Sequence, residues 1–461
     1  MRRGIDAAVI LAAGPGTKFW PFNEVRNKCA FPVANVPAVR RLAEDLIRLG
    51  FARIAVVVGH GEASVRHALH GLSVEPVFVR QPPQAGTAPA VAAAFDVLQT
   101  DLLVAYGDIV TPPENISAVK RRFEEGAPAA CVLVAPLGRE SAGDWICAEV
   151  TDGRLAGVWG HPRGGQYRLA GITALRADAV GALRDNPGLL TSVPVGGMPP
   201  LEADLAASLQ LMIDDGLDVA AEFAPEFVVD MDRPWHILEA NERVLAHQSS
   251  QLEADSVHPS ARVDDSAEVH GHLVLAEGAE IGKRVVIHGD LWLGPGATVT
   301  NGSIIGGRVC IGAKARVRDY ALVGGGSSLG PGSLVGHGAE FDGVLLERAY
   351  LYHYCEVSGV VGSAVDIGAA TVCGTLRFDD RDQTHVVKGR REVPPYGASA
   401  SFFGDYSRTG VNAIIMPGCK VGVYSCVGPG VVLTQDLPSR TMVLVKQELV
   451  TKPWGPEKYG W

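Results

Sequence analysis

The chain has 461 residues, enough for two or three domains with cores of their own, and carries a formal net charge of −10 with 20% charged residues. That balance excludes a general nucleic-acid footprint, so an anionic ligand must meet local positive charge. No run of ~18 or more apolar residues is present to span a bilayer, and the eight cysteines lie scattered without a CxxC, against a disulfide framework or structural zinc. Arg2 and Arg3 before an apolar run imitate a signal peptide, but the run fits a strand better, so the expected location is the cytoplasm, with no membrane or nucleic-acid partner.

The first predicted strand is the apolar run from Ala7 to Leu11, buried on both faces. It passes through Ala12 and Ala13 into Gly14-Pro15-Gly16-Thr17. Small residues there let backbone N–H groups close on an anion, so the turn is suited to phosphate. It matches neither the dinucleotide fingerprint nor the P-loop. Further strands are predicted at Ile54–Val58, Glu75–Val79, Leu102–Ala105 and Ala130–Ala135, with helices at Ala38–Leu49 and Ala88–Leu98. This alternation predicts a mostly parallel, Rossmann-like α/β sheet over residues 1–245, with ligands above the carboxyl ends of its strands.

Three polar motifs fall at such ends. The first, LAAGPGTKFWPF with Lys28 and Pro32 downstream, resembles the signature of sugar-1-phosphate nucleotidylyltransferases. The resemblance implies that Leu11, Ala12, Ala13, Gly14, Gly16 and Thr17 wrap a nucleoside triphosphate, that Lys18 stands where relatives hold phosphates with an Arg, and that Lys28 reaches the sugar phosphate. Lysine keeps the charge but loses the planar two-pronged fork.

The second motif, Gln81 with Gly86, Thr87 and Ala88, resembles the base-reading segment of bacterial uridylyltransferases and leans toward a pyrimidine triphosphate, UTP or dTTP. In the third, Tyr106-Gly107-Asp108, an aspartate ends an apolar strand, where it needs a hydrogen-bond partner or a cation. The resemblance implies Mg²⁺ on Asp108 and Asp230, with Asp232 as the fallback ligand. The sugar side departs from the family: Ile146, Gly160, His161 and Leu169 stand where relatives keep sugar and phosphate contacts. Two readings stay open, transfer to an unusual sugar phosphate and nucleotide binding by a scaffold without turnover.

Residues 246–256 read as a polar linker. From Val257 an aliphatic residue recurs at every sixth position, which predicts a three-sided parallel β-helix over 257–445. It resembles the left-handed β-helix of hexapeptide-repeat acyltransferases, which implies a homotrimer and acetyl-CoA or another acyl-CoA as cosubstrate. The bifunctional relatives, with both domains in this order, imply His353 as the general base, with Ala369, Lys388 and Arg408 near acyl-CoA. Asp366, Thr375 and Glu356 replace expected Asn, Asn and Tyr there. Residues 377–407 break the hexads as a loop insertion, and 446–461 form a tail without a period.

Overall fold

The structure, a computed structural model, describes residues 4–81, 86–138, 142–159, 165–188 and 203–459. Its first half is built on a nine-stranded sheet in the order Val77–Arg80, Arg53–Val58, Ala7–Ala12, Leu102–Tyr106, Tyr167–Leu175, Ala130–Pro136, Val219–Phe223, Arg154–Trp159, Cys147–Thr151. The first four strands are parallel. Tyr167–Leu175 then enters antiparallel, and only Val219–Phe223 with Ala130–Pro136 is parallel beyond it. The parallel half is the one that carries the glycine loop.

Continuous apolar character in Ala7–Ala12 follows from burial on both faces. Ala7 and Val9 belong to the core on one side of the sheet, Ala8 and Ile10 to the core on the other. Helices Ala38–Arg48 and Thr87–Leu98 form where helical spacing predicts them.

The second half is a parallel β-helix. Each strand pairs with the one eighteen residues on, as Arg262 does with Glu280 and Glu280 with Thr298, so three short strands make a rung. The aliphatic of each hexad points inward, and Ile281, Ile287, Leu293, Val299, Ile305 and Ile311 are all buried in one core. At Glu340–Leu345 a corner is lost: one strand spans two faces and the rung shortens to sixteen residues, Ser328 pairing with Val344.

The predicted linker is shorter than its polar letters suggest. His236–Ser250 is one helix, and the first β-helix strand starts at Ser256. The inner face of that helix joins the domains. Asn241 Oδ1 accepts from the amide of Ala34 (2.9 Å) and the hydroxyl of Ser328 (2.8 Å), and its Nδ2 donates to Gly326 O (2.7 Å). A single apolar cluster continues across the boundary, with Phe19, Phe22, Phe31, Trp235 and Ile237 from one side and Val344, Leu346, Val360, Val387 and Phe402 from the other. Arg26 adds a buried ion pair to Asp405 (2.5 Å). No helix among the described residues is long and apolar enough to cross a membrane.

Candidate active site

The glycine turn is held by a residue that sequence reasoning missed. Asn27, buried, donates from Nδ2 to the carbonyls of Ala12 (3.1 Å), Gly14 (3.2 Å) and His60 (2.7 Å), while its own amide donates to Ser64 Oγ (2.9 Å). A polar side chain directly before Lys28, which also accepts from the amide of Cys29 (2.9 Å) to cap the short turn Lys28–Ala30, was the available signal. Tied down in this way, the turn leaves Gly14, Pro15 and Thr17 exposed. Gly16 sits at φ 54°, where a Cβ would press on the Lys28 side chain at 3.3 Å, so glycine keeps the lysine in place.

Asp108 and Asp230 come together through a two-stranded ribbon. Val229–Asp230 pairs antiparallel with Ile109–Val110, Asp230 opposite Ile109, and the amide of Met231 donates to Asp108 O (3.1 Å). Lys28 Nζ makes a short ion pair with Asp108 and lies 3.6 Å from Asp232 Oδ1, and Lys18 Nζ lies 3.1 Å from Asp232 Oδ2. Both lysines and all three aspartates therefore share one site.

Its electrostatics are set by burial. Loss of solvent raises the Asp230 carboxyl to about 7, with the Asp108 charge adding to it and Lys28 opposing. Burial works against the Lys28 charge, but Asp108, Asp230 and Asp232 outweigh it and hold the ammonium above its ordinary range. Asp232 is lowered: burial opposes, and Lys28, Lys18 and Arg233 prevail. Asp230 Oδ1 is buried without a hydrogen-bond partner.

A cavity of about 220 Å³ opens beside these groups, lined by Lys18, Lys28, Asp108, Asp230 and Asp232 on one side and by Asp144, Ile146, Leu169, Gly171 and Leu209 on the other. Two of the altered sugar-side positions, Ile146 and Leu169, thus form its apolar wall. Gly160 and His161 lie outside the described residues.

Gln81, Gly86 and Thr87, the residues expected to read the base, have structural partners. Gln81 Nε2 donates to Gly86 O (3.3 Å). Gly86, at φ 118°, is approached by the backbone of Ala203, where a Cβ would stand 2.3 Å from Ala203 O. Thr87 Oγ1 accepts from the amide of Leu205 (2.7 Å) and bonds to the Tyr106 hydroxyl, whose burial pushes its pKa up. Gly107 donates its amide to Leu11 O (2.9 Å), locking Asp108 to the first strand.

In the second domain, His353 is exposed on a β-helix corner, its ring 5.4 Å from that of Tyr354. The amide of Ala370 donates to His353 O, and that of Asn412 to Ala369 O, so the corner stacks through successive rungs. Arg408 lies on the strand leading to the same corner, 3.5 Å from Asp366. Lys388 belongs to the loop insertion. It sits in the turn of a hairpin, His385–Val387 with Arg390–Glu392, that leans on the first domain through Arg390 on Asp144 (2.7 Å) and Glu392 on Arg233 (2.7 Å). These ion pairs between the domains are invisible in local sequence.

Residues 8–189 match the MobA-like NTP transferase domain. Over nearly its whole length the chain is similar to bifunctional protein GlmU of Methanococcus maripaludis, 30% identical over 456 residues that cover 96% of this chain and 98% of that one. It is likewise similar to the bifunctional sugar-1-phosphate nucleotidylyltransferase/acetyltransferase of Sulfurisphaera tokodaii, 26% identical over 440 residues that cover 93% and 98%. Among solved structures, UDP-glucose pyrophosphorylase from Acinetobacter baumannii aligns with a TM-score of 0.45 and 19% identity, over 54% of this chain and 95% of that one. With both domains in the same order and near-complete coverage, the chain belongs to the family of bifunctional sugar-1-phosphate nucleotidylyltransferase/acetyltransferases.

Proposed function

We propose that the first domain transfers a nucleotidyl group from a nucleoside triphosphate, UTP or dTTP in preference, to a sugar 1-phosphate with release of pyrophosphate, and depends on Mg²⁺. The observation that carries this reading is the unpartnered, buried Asp230 Oδ1 next to Asp108 and two lysines, at the carboxyl end of the parallel strands. Among the described residues no three His, Cys, Asp or Glu gather into a metal cage. Mg²⁺ needs none, since it keeps waters and takes one or two carboxylates with substrate phosphates, which fits an all-oxygen pair such as Asp108 and Asp230. When bound there, it would neutralise charge on the triphosphate and the incoming sugar phosphate.

The chain's own groups do the rest. The turn Gly14–Thr17 receives the triphosphate, and Lys18 and Lys28 offset the charge that builds on its oxygens. A phosphate oxygen of the sugar 1-phosphate bonds to the α-phosphorus in line as the bond to pyrophosphate breaks. Leu169 and Ile146 face the sugar with apolar surface, which favours a sugar less polar there than the relatives' motif would hold.

For the second domain we infer acyl transfer from acetyl-CoA or another acyl-CoA to an amino sugar, with His353 taking the amine proton. Homotrimer assembly through the β-helix belongs to the same reading, and the mass in solution by light scattering tests it. Incubation with each NTP and a panel of sugar 1-phosphates, with pyrophosphate as readout, tests the first site. Asp108→Asn abolishes the release, and unchanged turnover would remove the metal assignment. His353→Ala acylating an amine acceptor at the wild-type rate would remove the base. The apolar wall at Ile146 and Leu169 favours a second reading, a nucleotide-binding scaffold, for which nucleotide binds and no pair yields pyrophosphate.

A further inference from the structure

The cavity of the first domain is lined by four carboxylates, Asp108, Asp144, Asp230 and Asp232, against two ammonium groups, Lys18 and Lys28. A phosphorylated sugar is dianionic, so an uncompensated Asp144 on the wall where it enters would repel it. The compensating charge comes from the other domain. Arg390 Nη1 lies 2.7 Å from Asp144 Oδ1, and two residues on, Glu392 grips Arg233 through Nε (2.7 Å) and Nη2 (3.0 Å). Arg233 in turn holds Asp232 Oδ2 (2.5 Å), the carboxylate shared by both lysines. The hairpin thereby pins both walls of the cavity, and it is itself held by Val387 in the apolar cluster common to both domains.

We propose that the hairpin His385–Glu392 of the β-helix completes the nucleotidyl site, with Arg390 as the specificity-determining cation of its sugar-phosphate side and Glu392 as a positioning residue acting through Arg233. The inference rests on the proposed nucleotidyl transfer for its substrate class. An ion pair as exposed as Arg390–Asp144 adds little to stability, so its consequence is electrostatic and local.

The test uses the full chain and the sugar 1-phosphate of the panel that it uses best. In Arg390→Ala the KM for the sugar phosphate rises about tenfold, while kcat, the KM for the NTP and the thermal midpoint stay within about twofold or unchanged. Arg390→Lys recovers most of the loss, and adding Asp144→Asn to Arg390→Ala restores the KM by removing the carboxylate left unmatched. Glu392→Gln lowers kcat and raises both KM values, because Asp232 and the lysines lose their brace. An equal rise in both KM values for Arg390→Ala, no change, or no rescue by Asp144→Asn overturns the proposal. Calorimetric titration with hexose, N-acetylhexosamine and deoxyhexose 1-phosphates reads the same site without turnover. Should the wild-type chain bind one but release no pyrophosphate, nucleotidyl transfer fails while the hairpin assignment stands on a tenfold weaker titration in Arg390→Ala. Binding of none overturns both.

Discussion

Asn27 donates its side-chain amide to the carbonyl of Ala12 at 3.1 Å, where the first strand ends and the glycine turn begins. Because the same group also serves Gly14 and His60, Asn27→Ala strips three carbonyls of one donor. A loss of about 2 kcal/mol in unfolding free energy is expected. Initial rates should show the KM for the NTP raised more than that for the sugar phosphate. A variant with unaltered urea midpoint and unaltered KM values would show that the turn needs no such tie.

Asp230→Asn should separate stability from function. Burial and the Asp108 charge raise the Asp230 carboxyl to about 7, so its folded-state pKa lies above the unfolded value and its ionised form destabilises the fold. In metal-free buffer that penalty grows as pH rises from about 4 to about 7 and is complete above. At pH 8 without divalent metal, Asp230→Asn is expected to raise the thermal midpoint by a few degrees, on the order of 1 kcal/mol, and to lose pyrophosphate release with Mg²⁺ present. A lower midpoint would contradict the reading.

The hairpin carries a pH dependence of the opposite sign. Burial, with Lys420 nearby, pushes the His385 imidazole down to about 4, while Ala398 O, Asp436 and Glu392 pull the other way. Its Nε2 meets Ala398 O at 2.7 Å, and Nδ1 is buried without a partner. The unfolded chain takes up this proton near pH 6.5 and the folded chain only near 4, so stability present above about 6.5 is lost as pH falls, up to about 3 kcal/mol. The difference in unfolding free energy between wild type and His385→Gln should change across that window, and a constant difference would refute the assignment.

The rings of Phe31 and Phe22 stand 5.1 Å apart and those of Phe31 and Phe19 5.5 Å, all three fully buried in the cluster that also holds Val344, Val360 and Phe402. Calorimetry of the wild type is expected to show both domains melting together, since they share this core. Phe31→Ala should cost about 3–5 kcal/mol and split the endotherm in two. Two separate transitions in the wild type would mean that the shared cluster does not couple them.

Strands such as Ala7–Ala12, and the hexads from Ile281 to Val335, were legible because burial imposes a local pattern: continuous in a sheet covered on both faces, every sixth residue in a prism. Asp108 was legible because a carboxylate ending an apolar strand is costly without a purpose, and Asp230 through the resemblance to the nucleotidylyltransferases. Arg233, Asn27 and Glu392 were not. Their partners lie in other elements or in the other domain, and no periodicity records such a pairing. The last turn of the helix His236–Ser250 was read as linker because it is polar, though Asn241, Val244 and Leu245 one turn earlier are buried at the junction.

The first domain lies along the prism rather than at its tip: Ser249 meets Asp290, Asn35 meets Leu329 (2.9 Å), Arg26 meets Ser363 (2.9 Å), and Trp20 meets Ser439 (3.4 Å). Rungs rise by about 4.8 Å each, so the docking works as a ruler with fixed graduations. A rung gained or lost between Asp290 and Ser439 would slide half of these contacts out of step with the other half. Repeat number, usually the most freely varied property of a solenoid, is therefore locked wherever the two domains touch.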